Sequence, residues 1–447
     1  MKKRKMKQKR SNTRLIAVGF ALLILTGAML LTLPIAVRDG QPNFLESLFT
    51  ATSAACVTGL AVVDTYQNWT LFGQIVIICL IQIGGLGFMT IGAYIAILLK
   101  KRIGLKQRET LHESVNSMEL AGVVRLTKHI IQGTVFLEGL GAIMLSIRFI
   151  PEFGPVKGIY YSVFHAISAF CNAGFDLMGT KEAYSSFVSY EGDVLVNVTL
   201  MALIVIGGIG FVVWDDVRRN KFHFHKYLLH TKIVLITTFL ITIVSTVLFL
   251  IIENQNTFAG MTVTEKLCGA FFSSITPRTA GFNTVDTAAL SNGSKLLTMA
   301  LMFIGGSPGS TAGGVKTTTL VVLVLYAVAT IRSEEDINLF GRRLTEDAVK
   351  KANAVVIINL SLALGVAFLI MAIQNFQFDE VMFEVLSAIG TTGMTEGITR
   401  DLNTVSRLGI IFLMYCGRLG SLSFALAFAR NRTTNLVRQP EEKIIVG

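Results

Sequence analysis

Apolar residues run almost unbroken from Leu15 to Leu33, behind a start that carries Lys2, Lys3, Arg4, Lys5, Lys7, Lys9 and Arg10. Comparable apolar runs recur along the whole chain, separated by short polar stretches. A hydrocarbon core of about 30 Å takes roughly 20 helical residues, so the pattern predicts an all-α polytopic membrane protein. The short alternating segments of a β-barrel are absent. Between the long runs lie shorter amphipathic stretches, such as 43–54 and 379–388. As helix each covers only about 15–18 Å, half a bilayer. Such a stretch cannot span alone, and a half-helix that descends and returns as extended chain is predicted instead.

Four of these stretches end on a similar motif. They are Ser53-Ala54-Ala55-Cys56-Val57-Thr58-Gly59, Ser168-Ala169-Phe170-Cys171-Asn172-Ala173-Gly174, Ile275-Thr276-Pro277-Arg278-Thr279-Ala280-Gly281 and Ser387-Ala388-Ile389-Gly390-Thr391-Thr392-Gly393. The terminal glycines are 115, 107 and 112 residues apart, and ten residues before each stands Phe49, Phe164, Phe271 or Phe383. Near-equal spacing between apolar spans implies fourfold repetition of a span–loop–span unit. The expected architecture is eight transmembrane helices plus four re-entrant pore loops with fourfold pseudo-symmetry. The corresponding division is a basic cytosolic N-terminus (1–14), repeat 1 (15–100), a cytosolic linker (101–126), repeat 2 (127–218), a linker (219–228), repeat 3 (229–331), a linker (332–347), repeat 4 (348–430) and a cytosolic C-terminus (431–447).

Composition agrees with the pattern. The 447 residues are 52% hydrophobic and only 15% charged, against about 25% charged in soluble domains. The net charge of +11 could signal a nucleic-acid partner, but its distribution argues otherwise: 29 of the 40 Lys and Arg fall on the side assigned to the cytosol. That is the positive-inside asymmetry of a membrane protein, with both termini inside. The opposite face is net negative by 7, which concentrates cations. A cleavable leader has an apolar region of about 7–15 residues; the first run is longer and ends at Leu33-Pro34, so it is read as a retained span. Cys56, Cys79, Cys171, Cys268 and Cys416 are scattered singly, without metal-site or disulfide spacing.

Irregular backbone at membrane depth is tolerated where it is buried in protein or lines a watery cavity. Glycine permits the φ > 0 conformations such a lining needs, and rings of carbonyl oxygens replace the hydration shell of a cation. Each half-helix also turns its carbonyl end, about −0.5 of a charge, toward the centre. The alternative for a lone glycine is close helix packing; four in register favour an ion path. The residues expected to line it are Val57, Thr58 and Gly59; Asn172, Ala173 and Gly174; Thr279, Ala280 and Gly281; and Thr391, Thr392 and Gly393. No ring of filter carboxylates is present, so residue chemistry reaches only a monovalent cation.

The third inner span is interrupted by Gly305-Gly306-Ser307-Pro308-Gly309-Ser310-Thr311-Ala312-Gly313-Gly314, a run no helix sustains. Arg418, inside the fourth inner span, must face a cavity and bond carbonyls or a carboxylate. Holding the loop 305–314 is the role proposed for it; tying two helices together is the alternative. Lys316 can snorkel to the cytosolic interface. Glu138 either bonds a polar neighbour between helices or lies near an aqueous crevice. A phosphate loop is excluded because Val315 separates Gly314 from Lys316, and His223, His225 and His230 read as a solvated stretch rather than a metal site. No catalytic constellation emerges, so no enzyme, no cofactor and no metal beyond the transported ion is expected.

Together these segments, with Gly84-Gly85-Leu86-Gly87-Phe88, Gly207-Gly208-Ile209-Gly210-Phe211 and Gly417-Arg418-Leu419-Gly420, resemble the Trk/Ktr/HKT superfamily of cation transporters, and most of all its Ktr-type membrane subunit. The likeness extends from the first span to Ala429. It implies a K+ uptake pore with a backbone-carbonyl filter, since glycine at the Gly59 position accompanies potassium selectivity in that family. It implies further that 305–314 is a gating loop, that Na+ stimulates uptake, and that the membrane subunit is a homodimer in the cell membrane. A cytosolic nucleotide-binding ring (KtrA-like) would then be its regulator, with Arg332 to Arg343 as a docking surface. The competing function class is an ion-coupled cation carrier or the membrane subunit of a sodium pump.

Overall fold

The computed structural model describes residues 2–38, 41–99, 104, 109–111, 122–180, 182–221, 223–334, 336–428, 440 and 442, with no account of side chains 2–13, 98 and 426–428. Expectations for most of the basic N-terminal side chains, most of the linker 101–126, Glu335 and most of the C-terminus 431–447 lie outside the described residues. Each repeat opens with a long outer helix: α1 (Lys2–Leu31), α5 (Val123–Phe153), α9 (Leu229–Ile252) and α13 (Glu346–Ile373). Among the described residues these four are long and apolar enough to cross a membrane unbroken. Half-length helices follow, α2 (Phe44–Cys56), α6 (Pro155–Phe170), α10 (Val263–Ile275) and α14 (Phe378–Gly390).

The start of each half-helix is written in its first residues. Asn43 accepts from Leu45 N at 3.0 Å, Pro155 opens α6, and Thr262/Glu265 and Gln377/Glu380 form capping boxes. Acids in the first turns of α2, α10 and α14 complement the positive helix end. Near the C-terminal end of α5 (Val123–Phe153), Arg148 ties Glu152 and Asp193.

Every inner segment is broken, where the sequence reading placed a break only in the third. The pair α3 (Leu71–Leu86) and α4 (Phe88–Leu98) bends by 90° at Gly87, and α7 (Val194–Gly208) and α8 (Phe211–Asn220) bend by 94°. In repeat 3, α11 (Asn292–Ile304) and α12 (Thr317–Ile331) flank the long loop; in repeat 4, α15 (Thr404–Leu419) and α16 (Ser421–Phe428) meet at Gly420. Gly87, Gly210 and Gly420 all have φ between 81° and 100°, the region that a Cβ disfavours.

Packing closes the four repeats into a ring. Each inner helix lies against the half-helix of the next repeat: α3 on α6, α7 on α10, α11 on α14, and α15 back on α2. The core lies behind the half-helices, where Phe49, Phe164 and Phe383 are fully buried. In repeat 3 the buried phenylalanine is Phe272 rather than the expected Phe271. That half-helix therefore sits one residue out of register with the glycine alignment. A two-stranded hairpin, β1 (Asn338–Leu339) and β2 (Arg342–Arg343), occupies the expected docking segment, with Arg343 Nε 2.8 Å from Asp336.

Candidate functional site: a four-repeat ring and the loop beneath it

Each half-helix ends with an abrupt change of hand. Val57, Asn172, Thr279 and Thr391 have φ of 58°, 60°, 71° and 53°, and the glycines two residues later have φ between 67° and 96°; the residue between is not in this region. Alternating hand along three residues turns successive carbonyls toward the same side, which an ordinary strand does not do. The glycine was legible from sequence. At Val57, Thr279 and Thr391 the non-glycine left-handed residue was not, because nothing in Val or Thr favours that conformation; only Asn172 is of a type that adopts it readily.

The four glycines meet cyclically. A Cβ placed on Gly59 would fall 2.5 Å from the Ala173 carbonyl oxygen, and one on Gly174 would fall 2.6 Å from that of Ala280. On Gly281 it would run into the Thr392 carbonyl, and on Gly393 into that of Thr58, which completes the circle. Eight of the twelve residues expected to line an ion path, the four glycines and the residue before each, are thus brought into mutual contact beyond the C-terminal ends of the half-helices. By contrast, Gly84, Gly207 and Gly417 serve helix packing, since a Cβ there would strike the Ala55, Phe170 and Ile389 carbonyls.

Hydroxyls that the sequence reading passed over hold this backbone. Ser53 Oγ accepts from Gly59 N at 3.0 Å and Ser387 Oγ from Gly393 N at 3.1 Å. In the other two repeats the hydroxyl donates instead, Ser168 to Phe175 O at 2.7 Å and Thr276 to Phe282 O at 2.6 Å. Thr276 stands one position nearer its glycine than the serines do, the same register offset seen at Phe272. Aligning the hydroxyls rather than the phenylalanines would have found it.

The loop 305–314 lies directly under this ring. Ser307 N donates to Gly208 O at 3.0 Å, and Gly309 O accepts from Phe211 N at 2.8 Å. Thr311 Oγ1 reaches Asn172 Oδ1 at 2.8 Å, while a Cβ on Gly313 would collide with Thr391. The loop therefore touches lining residues of opposite repeats, the second and the fourth. Gly305, Gly306, Pro308, Ser310, Ala312 and Gly314 complete the crossing; Ser310 Oγ donates to Ser307 O at 2.6 Å.

Arg418 meets the loop as expected, donating through Nη1 to Thr311 O and through Nη2 to Gly84 O and to Gly85 O at 2.9 Å. Lys316 does not reach toward the cytosol; its Nζ folds back onto Ala312 O at 2.8 Å and Gly313 O at 2.9 Å. Those carbonyls are orphaned by the helix break, so the ammonium is satisfied locally. Arg278, counted with the outer face from sequence, is buried at the end of the third half-helix. Glu138 takes the first of its two readings and accepts from Gln82 Nε2 at 3.2 Å.

The model for the family described as cation transport protein, TrkH, matches residues 1–436. The chain belongs to the TrkH family of cation transport proteins. A potassium/sodium uptake protein of Enterococcus hirae is similar to it over all of this chain and 99% of its own length, at 42% identity. The Ktr system potassium uptake protein B of Bacillus subtilis is 39% identical over 97% of this chain and 96% of its own. Among solved structures, the potassium transporter TrkH of Vibrio parahaemolyticus superposes with a TM-score of 0.73 at 17% identity, covering 94% of this chain and 85% of that one. TrkH-family membership makes this a polytopic membrane protein with the TrkH fold, in agreement with the all-α architecture expected from the apolar runs.

Proposed function

We propose that this chain is the pore-forming subunit of a potassium uptake system, conducting K+ through the ring built by Val57-Thr58-Gly59, Asn172-Ala173-Gly174, Thr279-Ala280-Gly281 and Thr391-Thr392-Gly393. The carrying observation is the cyclic closure at Gly59, Gly174, Gly281 and Gly393, each facing a carbonyl of the next repeat. Inward carbonyls replace the water around a weakly hydrated cation. The names of the relatives from E. hirae and B. subtilis, and glycine at position 59, support potassium as that cation, with Na+ as a stimulating ion.

The loop 305–314 is the gate in this reading. It crosses the path below the ring, and Arg418 both anchors it and sets a positive charge there. Opening requires the Arg418 bonds to Thr311, Gly84 and Gly85 to be exchanged for water. The trigger comes from a cytosolic nucleotide-binding ring docking on the inner surface, where the hairpin 338–343 presents Phe340, 49% exposed, beside Arg342 and Arg343. The working unit is a homodimer in the cell membrane with both termini cytosolic. An ion-coupled carrier would need ionisable side chains at the central site; here backbone carbonyls line the ring.

Complementation of a potassium-uptake-deficient bacterium tests the assignment, with the regulator supplied. Growth at low external potassium is expected with the wild type. Gly59→Ser is expected to lose that growth or to make it sodium-sensitive. A wild-type chain that reaches the membrane yet gives no growth at low potassium would remove the potassium reading.

A further inference from the structure

Arg278 immediately precedes the lining stretch of the third repeat, and neither conduction nor the gate uses its charge. It is only 7% exposed, level with the middle of α9, where Nη2 donates to Thr242 Oγ1 at 2.7 Å. Its Nε has no hydrogen-bond partner. Among the described residues no carboxylate forms an ion pair with it. An unpaired buried guanidinium is a costly arrangement unless something accepts its protons and balances its charge.

Space for such a partner lies beside it. Arg278 lines a cavity of about 20 Å³ together with Thr238, Ser307, Thr317, Ile204 and Ile275, enough for about one water-sized particle; a monatomic halide is little larger. Ser307 Oγ and Thr317 Oγ1 are 3.1 Å apart. One of these hydroxyls donates to the other, and the second keeps its own proton to offer. The lining thus combines a fixed cation, hydroxyl donors and apolar walls, with no carboxylate. That is the wrong chemistry for K+ and suitable chemistry for a halide.

We infer that this cavity binds a small monovalent anion, chloride under physiological conditions, held by Arg278 and the Ser307–Thr317 hydroxyl pair. The anion joins the third half-helix to both ends of the gating loop. It also neutralises a positive charge that would otherwise stand one residue from the cation path.

The test uses the full chain in lipid and reads binding, so it does not depend on the potassium assignment. Crystals grown in bromide are expected to show an anomalous peak within hydrogen-bonding reach of the Arg278 guanidinium. Exchanging chloride for gluconate at constant ionic strength should lower the thermal midpoint, and Arg278→Gln should abolish that dependence. If Arg278→Gln does not fold, Ser307→Ala combined with Thr317→Val should weaken the chloride dependence several-fold. Absence of a bromide peak at the guanidinium, with only water there, overturns the assignment whatever the midpoints do.

Discussion

Arg418, in the inner helix of the fourth repeat, donates to the main-chain carbonyl of Thr311 in a loop that belongs to the third. The same guanidinium also holds Gly84 and Gly85 of the first repeat, so one side chain ties three repeats together at the loop 305–314. Buried carbonyls that lose a charged donor cost about 1–3 kcal/mol each. Arg418→Ala is therefore expected to raise rubidium flux into proteoliposomes at least tenfold in the absence of the regulator. Arg418→Lys, which cannot bond three carbonyls in the same plane, should fall between. An unchanged leak in both variants would count against the gating role.

The second tie of the loop is the 2.8 Å hydrogen bond from Thr311 to Asn172. Thr311→Val and Asn172→Leu should each increase the regulator-free leak. Because they remove the same bond, their effects should be non-additive, with a coupling of about 0.5–3 kcal/mol in a double-mutant cycle. Additive effects on flux would place the two residues on separate duties.

Gly393 has the tightest neighbours in the ring, since an added Cβ meets both Thr58 O and the Cα of Gly59. Its φ of 89° is itself unfavourable for an L-residue, at about 1–2 kcal/mol. Gly393→Ala is expected to reach the membrane but to lose at least tenfold in potassium uptake, measured as 86Rb+ influx. Wild-type influx from that variant would show that the ring tolerates displacement.

Lys295 of α11 pairs with Glu396, three residues after Gly393, and both are largely buried. Breaking a buried pair by removing one partner costs about 3–5 kcal/mol. Lys295→Met should lower the thermal midpoint of the detergent-solubilised protein by several degrees, and the loss should change little with added salt because burial limits screening. Restoration by Lys295→Met with Glu396→Leu would confirm that the stranded carboxylate is the cause.

Glu253 caps the outer end of α9. Burial pushes its carboxyl up, but hydrogen bonds led by the Ser291 hydroxyl, whose Oγ donates at 2.5 Å, outweigh this and bring it down to about 2. The unfolded chain, titrating near about 4.3, then binds more protons across the interval, so stability rises with pH there. The contribution is complete above about pH 5 and is lost as pH falls toward the folded value. Melting curves between pH 6 and pH 3 should show a fall in midpoint that is smaller in Glu253→Gln.

Repetition and the four motif glycines were legible in the chain because each is a local property. Apolar length and a φ > 0 requirement are carried by the residues themselves, and Gly59, Gly174, Gly281 and Gly393 all have φ > 0. The loop at 305–314 was equally legible, since so many breakers admit no helix. The one-residue offset of the third half-helix was not: Phe271 and Phe272 are chemically identical, and only packing against neighbours chooses which is buried. Nor could local chemistry show that Arg278 is buried against Thr242, a partner supplied by another helix; the acceptors of Lys316, Ala312 and Gly313, lie only four and three residues back, but their carbonyls face its ammonium only along the particular path the broken chain follows. What the sequence by itself determined was the succession of apolar segments of a polytopic membrane protein and the four motif glycines, with the loop 305–314, at which the backbone must bend. Tertiary structure alone decided that four such bends face one another in a closed circle and that a loop of the third repeat crosses beneath residues of the second and fourth, since these contacts join positions more than a hundred residues apart.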